Sequence, residues 1–466
     1  MATTREVRTV IVAHSTQRVF AGIGITDPFS RPSVTIPARV GRASPGAPWV
    51  AGEELDKAQG TLEIVNPIVD GVVVDWDALT TLWRYVFDIL GVSPNSNESF
   101  TLLGLPAPIS RETYERSTQI FFEQLNVPAL CIMESPLLSA YATGVVTALS
   151  VDIGADETAV SAVCDCVVVP SATLTTRIGT THCTYWLAGI LGQDEGVQAA
   201  LSTLPGPRGH LLYALAQQVV AQGLVSVSMG NEASDDKNEQ GEFDVAAALL
   251  EGRERDVVAE RQKQKDEQSR PSGNSEVATV SFQGIDIPIG PMRFRFHEPL
   301  FRPRLLLHEV PEVPAPPAVK AARESIRNGG EPVCVSVPEA IALVISKVPL
   351  DRRAALWEAF VVTGDGSEIK GLVAELLRVC GIYTTNEATE AAQVVGEPNS
   401  LQPHAVRALK TPDYFFEFKE RPELMPFLGA TIVAKLVFGD LSGRNYITKT
   451  QYNENGPAIA FAIGSA

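Results

Sequence analysis

The chain has 466 residues, of which 45% are hydrophobic. That is enough for a sizeable core spread over roughly two to four subdomains, and it excludes a disordered or fibrous protein. A formal charge of −17 excludes a protein that grips nucleic acid by itself, because neutralising phosphates needs clustered Lys and Arg. The six cysteines, at 131, 164, 166, 183, 334 and 380, form no CxxC pair, so a reducing compartment is expected rather than a disulfide framework. Cys164-Asp165-Cys166 has the wrong spacing for zinc and reads as two packing groups on one face of a strand. No apolar stretch reaches the roughly eighteen residues of a membrane span, and the opening residues lack a signal-peptide pattern. A soluble intracellular protein with no membrane partner is expected.

In chain order, residues 7–13 read as a buried strand that pairs with 19–25 as a hairpin. The intervening His14-Ser15-Thr16-Gln17-Arg18 is a turn in which only Arg18 offers charge. Residues 29–61 are rich in Pro, Gly and small polar residues, as in a small subdomain or surface loops. Asp75 or Asp77 opens a helix over 78–90, whose Leu79, Leu82, Trp83, Val86, Phe87 and Leu90 form one core-facing stripe. A buried strand over 100–105 and an amphipathic helix over 111–126 follow. Residues 129–133 form a short strand, and Ser135-Pro136 starts a small-residue helix ending near Gly144. The turn Asp152-Ile153-Gly154-Ala155-Asp156-Glu157-Thr158 places Gly and Asp where positive φ is expected and where backbone N–H groups could face a phosphate.

Further along, 159–169 reads as a strand pair and 181–191 as a helix entered through Gly179. Residues 230–241 are acidic and poor in apolar groups, an exposed loop; 243–268 read as a helix ending in a mixed-charge, solvated arm. Met292, Phe294 and Phe296 alternate with Arg293 and Arg295, predicting a strand with one apolar and one basic face. The Pro-rich 310–317 is a linker, 337–345 and 351–357 are helices, and 360–363 is a strand. It ends in Gly364-Asp365-Gly366-Ser367, a glycine turn opening a helix at Glu368, which by itself is a general anion site.

Several of these segments together resemble the actin superfamily. Tyr141-Ala142-Thr143-Gly144 matches the helix end that leads into the family's second phosphate hairpin, with Asp152 to Thr158 at the matching spacing. Asn66 to Asp77 is similar to the family's P-I-x-x-G-x-V-x-x-W-D signature, and Ile285 to Pro303 to its I-G, R-F and E-x-L-F-x-P segment. Phe427-Leu428-Gly429-Ala430, Tyr446-Ile447-Thr448-Lys449 and Tyr452 to Pro457 follow its W-I-G-G, W-I-[ST]-K and E-Y-x-E-x-G-P.

The resemblance implies an α/β, actin-like fold of two ribonuclease-H-like lobes around a cleft, each lobe a mixed five-stranded sheet with helices. The first lobe core would take 1–28, 62–144 and 424–466, with a small subdomain at 29–61. The second would take 145–180 and 285–423, with a further subdomain at 181–284 carrying the acidic loop and charged insert.

It also implies a weakened nucleotide site at Asp152, Gly154, Asp156, Thr158, Gly364, Gly366 and Ser367. The first phosphate loop lacks its carboxylate and glycines, Ser135 stands beside Glu134 where the family has its water-orienting glutamine, and Asp365 replaces a glycine. No catalytic residue, no metal ligand and no required cofactor are expected, and ATP binding is left open. A groove at Tyr141, Gly144, Val433, Leu436 and Phe438 would take a partner helix. Within the superfamily the departures are most similar to nuclear actin-related subunits of SWI/SNF- and RSC-type chromatin remodellers. These pair with a second actin-related protein and bind the helix preceding the remodeller's ATPase domain, alongside other subunits and without direct nucleic-acid contact. A cytoskeletal actin-related protein, or a weak ATPase of the same fold, is the alternative.

Overall fold

A computed structural model describes residues 8–24, 30–57, 62–69, 71–227, 277–310, 312–329, 333–383, 403, 405–440 and 443–464. The acidic loop and charged arm anticipated within 230–268 lie outside the described residues. The chain divides into two compact units, one comprising Met1–His182, Glu298–His308 and Pro316–Ala466, the other Cys183–His297 and Glu309–Ala315. Both large sheets belong to the first unit.

Among the described residues the first sheet has six strands in the order Ile447–Thr448, Ala129–Glu134, Phe100–Leu105, Thr9–His14, Arg18–Gly24 and Val34–Pro37. Thr9–His14, Phe100–Leu105 and Ala129–Glu134 run parallel, and the remaining pairs are antiparallel. Thr9–His14 is buried along its whole length because both faces of the sheet are covered, which is why it reads as a continuous apolar run rather than an alternating one. Val10 and Val12 join Trp83, Phe87 and Phe121, from helices Trp76–Ile89 and Arg111–Glu123, in one core. Ile11 and Ala13 point the other way, into a second core with Leu138 and Leu428, from helices Ser135–Ala142 and Met425–Gly439.

Local chemistry sets the helix boundaries. Asp75 accepts the Ala78 N–H at 2.8 Å and opens Trp76–Ile89. Ser110 caps Arg111–Glu123, and a reciprocal Thr448–Gln451 box caps Lys449–Asn455. Gly144, at φ 79°, lets the chain leave Ser135–Ala142. Gly429 has a different reason: a Cβ there would stand 1.8 Å from the Leu138 carbonyl oxygen, so the two core helices approach this closely only over a glycine. Contrary to the expectation that no apolar stretch reaches eighteen residues, the segment Pro422–Gly439 is long and apolar enough to cross a membrane by length and composition, but 67% of it is buried inside the protein. It is the core helix of the fold.

Among the described residues the second sheet has four strands in the order Val167–Thr176, Thr158–Cys164, Ala148–Ile153 and Phe360–Thr363, the last pair parallel. The actin-like α/β fold holds, but the expectation of five strands in each sheet is corrected to six and four among the described residues. The short strand Ile447–Thr448 adds to the first sheet, whereas beside Phe360 the described residues form a single bridge to Ala408.

Two local expectations also change. Asp165 and Cys166 adopt φ of 49° and 67° in the turn between two strands, so Cys164 and Cys166 do not share a strand face. In the other unit, Pro291–Arg295 is a 3-10 helix rather than a strand; Pro291, preceded by Gly290, starts it with a missing N–H and a fixed φ. Arg293 is buried there with Nη1 donating to the Leu224 carbonyl at 3.0 Å, so no basic face forms. That unit also holds the hairpin Ala278–Phe282 with Ile285–Ile289, turned at Gln283 and Gly284, both at positive φ.

Candidate functional site

Two hairpins, one from each sheet, and the turn after Phe360–Thr363 meet in the first unit. The first hairpin closes between Thr9–His14 and Arg18–Gly24 through Ser15 N–H to the Arg18 carbonyl at 2.9 Å. The Ser15 hydroxyl oxygen in turn accepts the Arg18 N–H at 3.2 Å. The second hairpin closes through Gly154 N–H to the Glu157 carbonyl at 2.9 Å. Gly154 is not at positive φ, contrary to expectation. It is required for space, since a Cβ would stand 2.4 Å from Thr16 Oγ1.

At this junction the protein supplies its own anions. Thr16 N–H donates to Asp152 Oδ2 at 3.1 Å, so a first-loop amide is already engaged by a carboxylate. Arg18 Nε lies 3.1 Å from Asp365 Oδ1, and its Nη1 lies 3.9 Å from Glu368. Burial pushes the Asp152 carboxyl up to about 6; the Thr16 amide pulls it down and Asp365 adds to the rise. Its Oδ1 is buried without a hydrogen-bond partner among the described residues. Burial likewise raises the carboxyls of Asp365 and Glu368, with Arg18 opposing in both.

His14 stands at the end of the first strand, wholly buried, and burial pushes its imidazole down to about 3. It is therefore neutral, and its Nε2 accepts the Trp83 indole N–H at 2.9 Å. Ser135 donates its hydroxyl to the His14 carbonyl at 2.6 Å, and Glu134 accepts the Ile109 N–H at 3.2 Å. Both side chains at the expected water-orienting position are thus held by structural bonds.

Of the seven candidate nucleotide-site residues, the structure brings Asp152 and Gly154 together with Gly364 and Gly366. A Cβ at Gly364 would meet Asp152 Oδ1 at 2.3 Å, and one at Gly366 would meet the Ile153 side chain at 2.4 Å. Gly364 also turns the chain at φ 80°. Thr158 and Ser367 are placed differently, as buried hydroxyls donating to the carbonyls of Ile178 at 2.8 Å and Gly364 at 2.6 Å. Asp156 lies in the turn of the second hairpin.

A separate groove of about 750 Å³ opens beside the Ser135–Ala142 and Met425–Gly439 helices. Tyr141, Gly144, Val433 and Leu436 line it, joined by Val145, Val146, Val167, Ile432 and Tyr446. Leu436 is 70% exposed, Val167 61% and Val146 50%, an apolar rim in water. Phe438 is not part of it: it is buried against Phe100 and Tyr446, at ring distances of 5.4 Å each. The helical period carries the missed signal, since two residues on a 100° step put Phe438 about 200° from Leu436. The Thr16–Asp152 and Arg18–Asp365 contacts were also unanticipated, because nothing local signals a pairing across so much chain.

The sequence matches the family description "Actin" over residues 29–461. It is 27% identical to the "SWI/SNF and RSC complexes subunit arp9" of Schizosaccharomyces pombe, an actin-related protein nine, covering 84% of this chain and 78% of that protein. It is 23% identical to "Actin-related protein 4" of Arabidopsis thaliana, over 88% of this chain and 81% of that one. With the match running through the second hairpin and both core helices, the chain belongs to the actin family.

Proposed function

We propose that this chain is a non-catalytic actin-related subunit of a nuclear, ATP-dependent chromatin remodeller of the SWI/SNF or RSC type. It pairs with a second actin-related protein and holds the helix that precedes the remodeller's ATPase domain, supporting assembly and regulation of remodelling and transcription. The observation that carries the partner reading is the exposed apolar groove whose rim includes Leu436, Val167 and Val146. An amphipathic helix lays its apolar face into such a groove. The similarity to a protein named as a SWI/SNF and RSC subunit supports the choice of complex.

The non-catalytic reading rests on the hairpin junction. The Thr16 amide is occupied by Asp152, Arg18 by Asp365, and Ser135 by the His14 carbonyl, while His14 is neutral. Groups that would orient water or neutralise a phosphoryl transition state are engaged elsewhere. ATP is not required in this reading.

Affinity purification of the tagged chain from a nuclear extract, with mass spectrometry of what stays bound in moderate salt, tests it. Recovery of a Snf2-type ATPase with a second actin-related protein is expected, and Leu436→Glu should lose both. Recovery of dynactin or motor subunits, or of no stable partner, would sink the proposal.

A further inference from the structure

A cavity of about 790 Å³ opens within the first unit, and its lining shares no residue with the hairpin junction or with the groove beside Leu436. One wall is the run through the 3-10 turn Pro303–Leu307, which brings Arg302, Arg304 and His308; the others are the helix Pro317–Asn328, through Ile326, and the stretch 333–335. These walls are tied in place. Arg323 Nε donates to the Leu306 carbonyl at 2.5 Å and its Nη2 to the His308 carbonyl at 3.2 Å, joining the turn to the helix. Val335 N–H donates to Thr176 Oγ1 at 3.0 Å, the Thr176 hydroxyl donates to the Val335 carbonyl at 2.7 Å, and the Val333 carbonyl accepts the Arg177 N–H at 3.0 Å.

The charge of this lining is opposite to that of the chain. Arg302, Arg304 and His308 are exposed, and their side chains enter no hydrogen bond or ion pair among the described residues. Glu339, the one acidic residue of the lining, has its Oε2 committed to the Ser336 N–H and hydroxyl, at 2.9 Å each, as the cap of Val337–Ser346. In a chain with 55 acidic residues against 38 Lys and Arg, this rim therefore keeps two guanidinium groups unneutralised. Behind them Leu305, Ile326, Val333 and Val335 are half-buried and give the cavity an apolar wall. Guanidinium forks match carboxylates, and an apolar recess takes an anchoring side chain, so the complement is a segment that carries both. Nucleic acid fits less well, because it needs a track of cations along successive phosphates and would leave the apolar wall unused.

We propose that this cavity docks an acidic peptide segment of a partner protein, its carboxylates on Arg302 and Arg304 and an apolar side chain against Ile326 and Val333. The net negative charge of the rest of the chain does not prevent this, because at physiological ionic strength exposed charges beyond about 8 Å are largely screened and the nearest groups decide. The surface is separate from the partner groove, and the inference does not depend on that groove's occupant.

Fluorescence anisotropy of a labelled peptide of repeated Asp-Leu-Glu-Phe units, titrated with the full chain, tests it. Saturable binding that weakens with added salt is expected, and it should be lost when the acidic residues of the peptide are replaced by Lys and reduced when Leu and Phe are replaced by Ser. Arg302→Glu with Arg304→Glu should weaken it roughly ten- to hundred-fold or more, and Ile326→Ser about tenfold. Lys320→Glu, an exposed cation on the same helix but outside the lining, should leave it within about twofold, which separates this site from the general field of the surface. No saturable binding in wild type overturns the proposal, as does binding unchanged in the double arginine variant at wild-type melting temperature. A loss with Lys320→Glu as large as with the arginines, or equal competition by duplex DNA, overturns it too, marking a nonspecific field or a nucleic-acid surface.

Discussion

Replacing Asp152 by Asn probes the hairpin junction with one atom. Asn keeps an oxygen to accept the Thr16 N–H now bonded at 3.1 Å, but removes the buried charge, whose Oδ1 has no partner among the described residues. The carboxyl is raised from 3.8 to about 6, chiefly by burial. Between those values the native state keeps a proton that the unfolded chain has released, so Asp152 makes stability fall as pH rises through this window. At about 1.4 kcal/mol per pKa unit, the charged form is disfavoured by on the order of 3 kcal/mol above pH 6. Asp152→Asn should therefore stabilise the protein by about 1–3 kcal/mol at pH 7.5, the lower end allowing for a weaker neutral acceptor, and leave it near wild type at pH 4. Calorimetric unfolding of both proteins at the two pH values provides the comparison. Equal destabilisation at both would refute the reasoning, since the carboxylate would then be a net stabilising acceptor rather than a buried burden.

Two further perturbations test the fold around this junction. His14 carries the opposite sign: with its folded pKa lowered to about 3, its contribution is full above pH 6.5 and is lost as pH falls below that value. His14→Gln, which keeps a side-chain acceptor for the Trp83 indole, should flatten acid destabilisation between pH 6.5 and 4, and an unchanged acid limb in thermal melts would count against a neutral buried His14. Gly429→Val places a side chain where a Cβ already meets the Leu138 carbonyl, and should cost about 3 kcal/mol or more by denaturant unfolding. A wild-type denaturation midpoint would show that the two core helices do not touch there. At the groove, Leu436→Glu lies on an exposed position and should leave stability within about 0.5 kcal/mol of wild type, separating any loss of partner from misfolding.

Much of the architecture was legible because it is written locally. The apolar run 360–363 between Glu358-Ala359 and Gly364 is the strand Phe360–Thr363, and the stripe from Leu79 to Phe87 is the buried face of Trp76–Ile89. The family motifs carried the rest of the fold, and the match across residues 29–461 agrees with them. What was not legible depends on distance or on competing periods. Met292 to Phe296 satisfies a period of two, yet Gly290-Pro291 sets a 3-10 turn that buries Arg293 and Phe296 together. Gly154 satisfies a turn template, yet its reason is a neighbour, Thr16, on another strand pair. The ion pair between Arg18 and Asp365 has no local signature at all, because it exists only once the two hairpins and the final turn are assembled.

The central claim, that a partner helix occupies the groove beside Tyr141 and Leu436, is tested most directly by hydrogen exchange on the isolated chain and on the purified complex. The account predicts new protection concentrated in 141–146 and 432–437 on complex formation, and its loss with Leu436→Glu. Protection confined to other surfaces, with these two segments exchanging as in the free chain, would contradict it.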